Sequence, residues 1–277
     1  IVFFLSLCIP PIILYIKKIT RSKFENRNDV EQATDVPILG EMCVDRSGNV
    51  LAVGSHDTSS TSELFRLLRS NLQFVLNGAD DKVVLMTSTK SGEGKSFISI
   101  NLAASLALLG KRVLLVGMDI RNPQLGNYLG LKAPYGLTNY LSDSNISLDS
   151  IIQHEPLVPN LDIIDAGPIP PNPGELLTSR KVDEMFDELR KRYDYIIVDS
   201  APVGMVSDTF NIARVCDATI YVCRANYSTF GDIDYINELF DDKRLPKMAL
   251  VVNGTSTRKG YGYGYGYTGD KKKHKNK

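Results

Sequence analysis

The amino-acid sequence predicts an α/β fold: a doubly wound, mainly parallel sheet with helices on both faces. Three observations carry that prediction. Near-continuous Val/Ile/Leu runs recur along the chain, as strands buried on both faces require. Amphipathic helical segments separate them, as crossovers between parallel strands require. At 43% hydrophobic and 23% charged residues, the chain also has the apolar content of a folded domain with a sizeable core.

Taken in chain order, residues 1–16 read IVFFLSLCIPPIILYI and carry no charge. As a helix they would span about 24 Å, short of the roughly 20 residues that a complete bilayer crossing needs. Pro10 and Pro11 disfavour a soluble core helix but are better tolerated in a membrane span. The segment reads as the C-terminal part of a transmembrane helix. Lys17, Lys18, Arg21 and Lys23 follow it, and the positive-inside rule then puts the rest of the chain in the cytoplasm. Residues 17–50 are polar and mixed, with Pro37 and Gly40 in PILGEM, and read as a juxtamembrane linker. From about residue 61, Leu64, Leu67, Leu68, Leu72 and Val75 take the spacing of one buried helical face. A folded domain is expected over 51–257, with strands at 83–88, 112–118, 161–165, 195–199, 218–223 and 249–253. Residues 258–277 are rich in Tyr, Gly and Lys and form a tail with no means of building a core.

The formal net charge is zero, from 32 Lys+Arg and 32 Asp+Glu, which argues against nucleic acid as a partner. The charges are segregated, however: residues 1–23 carry +4 and residues 258–277 carry +6, which leaves −10 on the body between them. Cys8, Cys43, Cys216 and Cys223 lack CxxC spacing and His partners, so they read as reduced thiols and not as a metal site or disulfide framework.

The strongest chemical signal follows the first expected strand of the domain, in TSTKSGEGKSFISI. Lys90, Ser91, Gly92, Glu93, Gly94, Lys95, Ser96 and Phe97 are the candidate phosphate cradle. Gly92 and Gly94 allow backbone N–H groups to close on phosphate oxygens, and the following helix adds its positive N-terminus. Lys95 has the reach for β- and γ-phosphates, and the Ser96 hydroxyl suits Mg2+. The pattern is a variant, with Thr89 where GxxxxGK[ST] has its first Gly. Two strand ends carry acids: Asp119 in RVLLVGMDIRNP and Asp199 in YDYIIVDSAP. Ligands of open α/β sheets bind at the carboxyl ends of strands, so both carboxylates can meet one Mg2+–nucleotide site. Asn253 ends a late strand and is a candidate contact to the base. The tail reads GYGYGYGYTG, which spaces Tyr261, Tyr263, Tyr265 and Tyr267 between flexible glycines, as accessible phosphoacceptors need.

The combination of Lys95–Ser96, Asp119-x-Arg121 and Asp199–Pro202 resembles the Walker A, A′ and B set of the bacterial tyrosine kinases, a MinD/ParA-like branch of P-loop ATPases that serves capsule and exopolysaccharide export. GPIPPNPGELL at 167–177 and Glu63-x-x-Arg66-x-x-Arg69 are similar to further motifs of that family. The resemblance covers about residues 51–267, while 1–16 and PILGEM look like the end of a fused polysaccharide co-polymerase. It implies ATP and Mg2+ as cofactors, with Lys95, Asp119 and Asp199 catalytic, Ser96, Asp119 and Asp199 on the metal, and Arg121 at the nucleotide. It further implies trans-phosphorylation of the tail tyrosines, a ring-shaped homo-oligomer (an octamer) through Glu63, Arg66 and Arg69, and a place at the bacterial plasma membrane. Its expected partners are the polysaccharide polymerisation and export machinery and a protein tyrosine phosphatase. Two departures stand out. Gly117 replaces the first Asp of the family's DxD, and Lys90 sits where MinD/ParA-type ATPases carry a signature lysine. The second keeps a membrane-associated ATPase switch open as an alternative, beside a purely structural nucleotide-binding anchor.

Overall fold

A computed structural model of the chain describes residues 22–45, 47–54, 59–131 and 134–256. The expected membrane segment and the tyrosine tail lie outside the described residues. Among the described residues no helix is long and apolar enough to cross a membrane.

One eight-stranded sheet organises the domain. In chain order its strands are β1 (Ile38–Cys43), β2 (Val83–Ser88), β3 (Val113–Gly117), β4 (Ile152–His154), β5 (Leu161–Ile164), β6 (Tyr195–Asp199), β7 (Ala218–Arg224) and β8 (Met248–Thr255). They lie side by side as β1-β8-β7-β2-β6-β3-β5-β4. All neighbours pair in parallel except β4, which runs antiparallel to β5. β2 is central, between β7 and β6, and every residue of it is buried.

The helices are α1 (Arg27–Glu31), α2 (Ser60–Val75), α3 (Lys95–Ala107), α4 (Leu125–Leu129), α5 (Leu137–Ser142), α6 (Pro173–Thr178), α7 (Arg180–Arg192), α8 (Asp208–Ala213) and α9 (Phe230–Asp241). Strand alternation divides the core into two layers. Val83 and Leu85 face one layer with Phe186 and Leu189 of α7 and Ile233 and Ile236 of α9. Val84 and Met86 face the other, with Phe65, Leu68 and Leu72 of α2 and Ile98 and Leu102 of α3. α3 touches the sheet on one side and α2 on the other. That double covering is why ISINLAASLA is apolar or small almost all round.

The structure departs from the sequence expectations at three places. Residues 22–50 are folded into the domain for the most part, where a linker over 17–50 was expected. β1 pairs in parallel with β8, Phe24 and Val30 are fully buried, and Thr34 and Ala33 bond to Asn237 of α9. The strand escaped notice because Gly40 and Glu41 interrupt its apolar run, which an edge strand tolerates and a central one does not. β4 escaped because three residues are too few to make a pattern. In α2 the buried stripe is Phe65, Leu68 and Leu72, while Leu67 is 55% exposed. Cys216 and Cys223 are buried free thiols, as expected, and Cys43 is half-buried and free.

Candidate functional site

The loop from Thr89 to Gly94 joins the end of β2 to the start of α3. Gly94 caps the helix with φ +92°, in left-handed territory open to glycine. A Cβ there would also fall 2.1 Å from Asn253 Nδ2, so both backbone and space demand glycine. β6 lies beside β2, with Asp199 in register with Met86, and this brings the Asp199 carboxylate to the P-loop. Its Oδ1 accepts from Lys95 Nζ at 2.8 Å and its Oδ2 from the Ser96 hydroxyl at 2.7 Å. The fully buried Ser99, one turn further along α3, donates to Asp199 Oδ1 at 3.0 Å. The structure therefore brings together three of the residues expected at a Mg2+–triphosphate site and adds Ser99, which no sequence motif marks.

Asp119 follows β3, whose Gly117 is in register with Asp199. Its Oδ1 accepts from Asn122 N at 3.0 Å. Burial pushes the carboxyl above its ordinary value, against the pull of the Asn122 N–H and the nearby Lys95 charge. A Cβ at Gly117 would come within 3.2 Å of Leu125 Cδ2 and 3.3 Å of the Ala166 nitrogen. A side chain at the place of the family's first Asp would thus have to push its neighbours aside by a few tenths of an ångström, and with Gly117 there Asp119 supplies the carboxylate that follows this strand.

A second set of side chains fixes the P-loop from outside. Asn253 donates to Glu93 O at 2.8 Å, Arg224 to Gly92 O at 2.7 Å and Tyr227 Oη to Ser91 O at 2.8 Å. The Glu93 carboxylate is buried, bonded by Lys90 N at 2.9 Å and by the Ser228 hydroxyl. Burial raises its pKa despite those donors. Lys90 is ion-paired with Asp232 of α9 at 2.6 Å. Arg121 makes a two-pronged pair with the buried Asp208 at 2.5 and 3.0 Å. Asn253, Lys90 and Arg121 are thus all engaged inside this chain. Phe97, one residue past Ser96, stands edge-on to Phe65 at 5.9 Å between centroids.

A cleft of about 490 Å³ opens over these groups. P-loop residues, Asp119 and Asp199 line it, together with Asn122–Leu125 and Tyr128 on one flank and Asp45 and Gly48–Val50 on the other. Away from the cleft, Glu63 and Arg66 form an ion pair along α2, and Arg69 donates to Ser105 O of α3 at 2.6 Å. Tyr261, Tyr263, Tyr265 and Tyr267 lie outside the described residues.

Residues 81–241 match the family model described as an AAA domain. The chain is 36% identical over 197 residues to tyrosine-protein kinase CpsD of Streptococcus agalactiae, covering 71% of this chain and 83% of that one. It is 37% identical over 200 residues to the putative tyrosine-protein kinase EpsB of Ralstonia solanacearum, covering 72% of this chain but only 26% of that longer protein. The kinase domain of the Escherichia coli tyrosine kinase ETK superposes with a TM-score of 0.76 at 25% identity, covering 87% of this chain and 99% of that domain. The septum site-determining protein MinD of Pyrococcus horikoshii shares the fold at a TM-score of 0.51 and 23% identity, covering 61% of this chain and 68% of that one. With a variant P-loop, acids at the ends of β3 and β6 and these relatives, the chain belongs to the bacterial tyrosine kinases, built on the P-loop fold that MinD shares.

Proposed function

We propose that the chain transfers the γ-phosphoryl group of ATP to tyrosine, first of all to the tail tyrosines Tyr261, Tyr263, Tyr265 and Tyr267 of a neighbouring copy. The observation that carries this reading is the convergence of Lys95, Ser96 and Ser99 on the Asp199 carboxylate, directly under a P-loop. The residues fit a Mg2+–nucleoside triphosphate: glycines that admit phosphate oxygens, a lysine, a hydroxyl and two carboxylates of the oxygen-donor kind that Mg2+ prefers. When bound, Mg2+ neutralises charge building up on the phosphates. Lys95 would leave Asp199 for the β- and γ-phosphates, the loop amides would bind phosphate oxygens, and Ser96 and Asp199 would hold the metal directly or through water. Asp119 orients the acceptor hydroxyl and receives its proton. A phenol, with pKa near 10, is easier to deprotonate than an aliphatic alcohol, so a positioned carboxylate helped by Mg2+ would be enough.

In this reading Glu63, Arg66 and Arg69 on α2 serve a ring of eight subunits, which presents each tail to the next subunit's cleft. The membrane segment, the polysaccharide export machinery and a phosphatase complete the cycle. Each phosphate adds about −1.5 to −2 charges. Several on one tail cancel its +6 and repel it from the −10 body, which loosens the ring. Sedimentation of phosphorylated and dephosphorylated protein tests that step, and unchanged assembly counts against it. Incubation with labelled ATP and Mg2+ tests the reaction itself. Label on Tyr261–Tyr267 is expected, whereas free phosphate with an unlabelled tail would establish the ATPase switch instead. The kinase reading is favoured over the switch by the relatives named tyrosine-protein kinases and by the likeness to the ETK kinase domain.

A further inference from the structure

The loop that follows β1, expected to be linker, supplies one wall of the cleft. Asp45, Gly48, Asn49 and Val50 line it, although none belongs to a nucleotide motif. Their position follows from two attachments. Val44 N donates to Thr255 O at 3.1 Å, which ties the start of the wall to the end of β8. That strand end carries Asn253, bonded to the P-loop, and Gly254, packed against Arg224. The other attachment is Asn101, fully buried in α3. Its amide nitrogen donates to Val50 O at 2.8 Å and to Phe97 O at 2.9 Å, and its oxygen accepts from Ala52 N at 2.7 Å. One buried side chain therefore fastens the wall to the helix that begins at Lys95.

The cleft has two flanks, and chemistry tells them apart. On one side, Asn122–Leu125 and Tyr128 follow Asp119, so this flank adjoins the carboxylates where transfer occurs. The proposed ATP site puts the γ end of the triphosphate at Asp119 and Asp199, past β3 and β6. Asp45, Asn49 and Val50 follow β1 and Arg224 ends β7, on the other side of β2 in the sheet, which leaves that side of the cleft to the nucleoside. We infer that Asp45, Asn49 and Val50 form the nucleoside wall of the site, and that Asn101 is the positioning residue that holds this wall to the P-loop helix. Asn49 is exposed and the Val50 side chain is half-buried, so the wall presents a polar amide and an apolar edge, as ribose and base require. Asp45 is already engaged by Ser47, whose N–H and hydroxyl both donate to its carboxylate, and this fixes the turn from which the wall rises.

This inference rests on the proposed ATP site, and the test separates the two. Titration calorimetry with Mg2+ compares ATP, ADP and inorganic tripolyphosphate on the wild type, Asn101→Ala and Asn49→Ala. Tripolyphosphate uses the P-loop and has no nucleoside. Asn101→Ala is expected to weaken ATP and ADP by the same factor, about fivefold to tenfold, and to leave tripolyphosphate within twofold. Asn49→Ala, an exposed substitution that folding tolerates, is expected to show the same split at about threefold. In steady-state assays the KM for ATP rises while kcat holds, which a loss of fold alone would not produce. Equal losses for tripolyphosphate and ATP, or no loss for either in both variants, overturn the wall. If the wild type binds neither ATP nor tripolyphosphate, the nucleotide site itself falls and the wall falls with it.

Discussion

Two aspartates sit at opposite ends of the sheet, each gathering several donors, and the contrast between them shows where this fold is built to stay and where it is built to change. Asp217 lies just before β7 and accepts from Lys82 N, Val83 N and both terminal nitrogens of Arg190, all between 2.7 and 2.8 Å. Its partners are backbone amides and a planar guanidinium whose further bonds, to Asp80 O and Val215 O, also tie the fold together. Asp199, at the far end of β6, is held by Lys95, Ser96 and Ser99. In the proposed reaction, two of those partners are the groups that a Mg2+–triphosphate takes for itself. One carboxylate closes the fold, and the other holds the site's donors ready until a ligand competes for them.

The largest expected effect lies at the changeable end. Lys95→Met removes the charge shared by Asp199 and the phosphates, and tail phosphorylation should fall by at least about 10²–10³-fold. Saturating Mg2+–ATP at about a hundred times Kd should raise wild-type stability by about 2.7 kcal/mol, and Lys95→Met should lose that gain. Thermal melts with and without nucleotide check this. A variant that keeps both its activity and its nucleotide-dependent gain removes Lys95 from the site.

Asp217→Asn should do the reverse. It breaks a charge-assisted pair with Arg190 and leaves one backbone N–H poorly matched, at a cost of about 2–3 kcal/mol in denaturant unfolding. ATP affinity should not move, because every partner lies at the opposite end of the sheet. A change in affinity larger than twofold would mean that the two ends are coupled.

The same pair sets part of the acid response. Burial alone would raise the Asp217 pKa, but the Arg190 hydrogen bond and the two amides outweigh it, and the carboxyl lies below its ordinary value. A pKa lower in the folded than in the unfolded chain adds stability above the unfolded value, near 3.9, and loses it as pH falls through the folded one. Wild type should therefore lose stability below about pH 4, and Asp217→Asn should lack that share of the slope. Denaturant midpoints from pH 5 to pH 2 compare the two chains, and parallel curves would discard the assignment.

The contrast also explains what could be read from sequence. Asp199 ends and Asp217 precedes a strand whose apolar run is unmistakable, YIIVD and DATIYVC, because central strands buried on two faces cannot afford polar interruptions. The P-loop is legible for a similar reason: phosphate binding by backbone forces glycine and lysine into fixed spacing. Positions that act through tertiary contact leave no such trace. Asn101, Ser99 and Asp232 are ordinary helix residues by spacing, and only the folded chain shows what they hold. β1 was hidden because an edge strand needs little apolar pattern, yet it carries a wall of the cleft to its place.

Ser99 gives the smallest effect and the sharpest distinction. Its hydroxyl sits 3.0 Å from both Lys95 O and Asp199 Oδ1, so it is divided between holding the helix and holding the carboxylate. Without nucleotide, Lys95 and Ser96 keep Asp199 in place, and Ser99→Ala should cost no more than about 1 kcal/mol of stability. In the proposed nucleotide complex both of those donors turn toward the ligand, and among the described residues Ser99 is the donor left to fix the carboxylate from the protein side. The cost should then reappear in kcat, at about threefold to tenfold, with the KM for ATP nearly unchanged. A rise in KM at constant kcat would mean that Ser99 shapes the resting site and not the reacting one. Asp199 would then be held during transfer by the metal alone, and the readiness of this end of the sheet would belong wholly to Lys95 and Ser96.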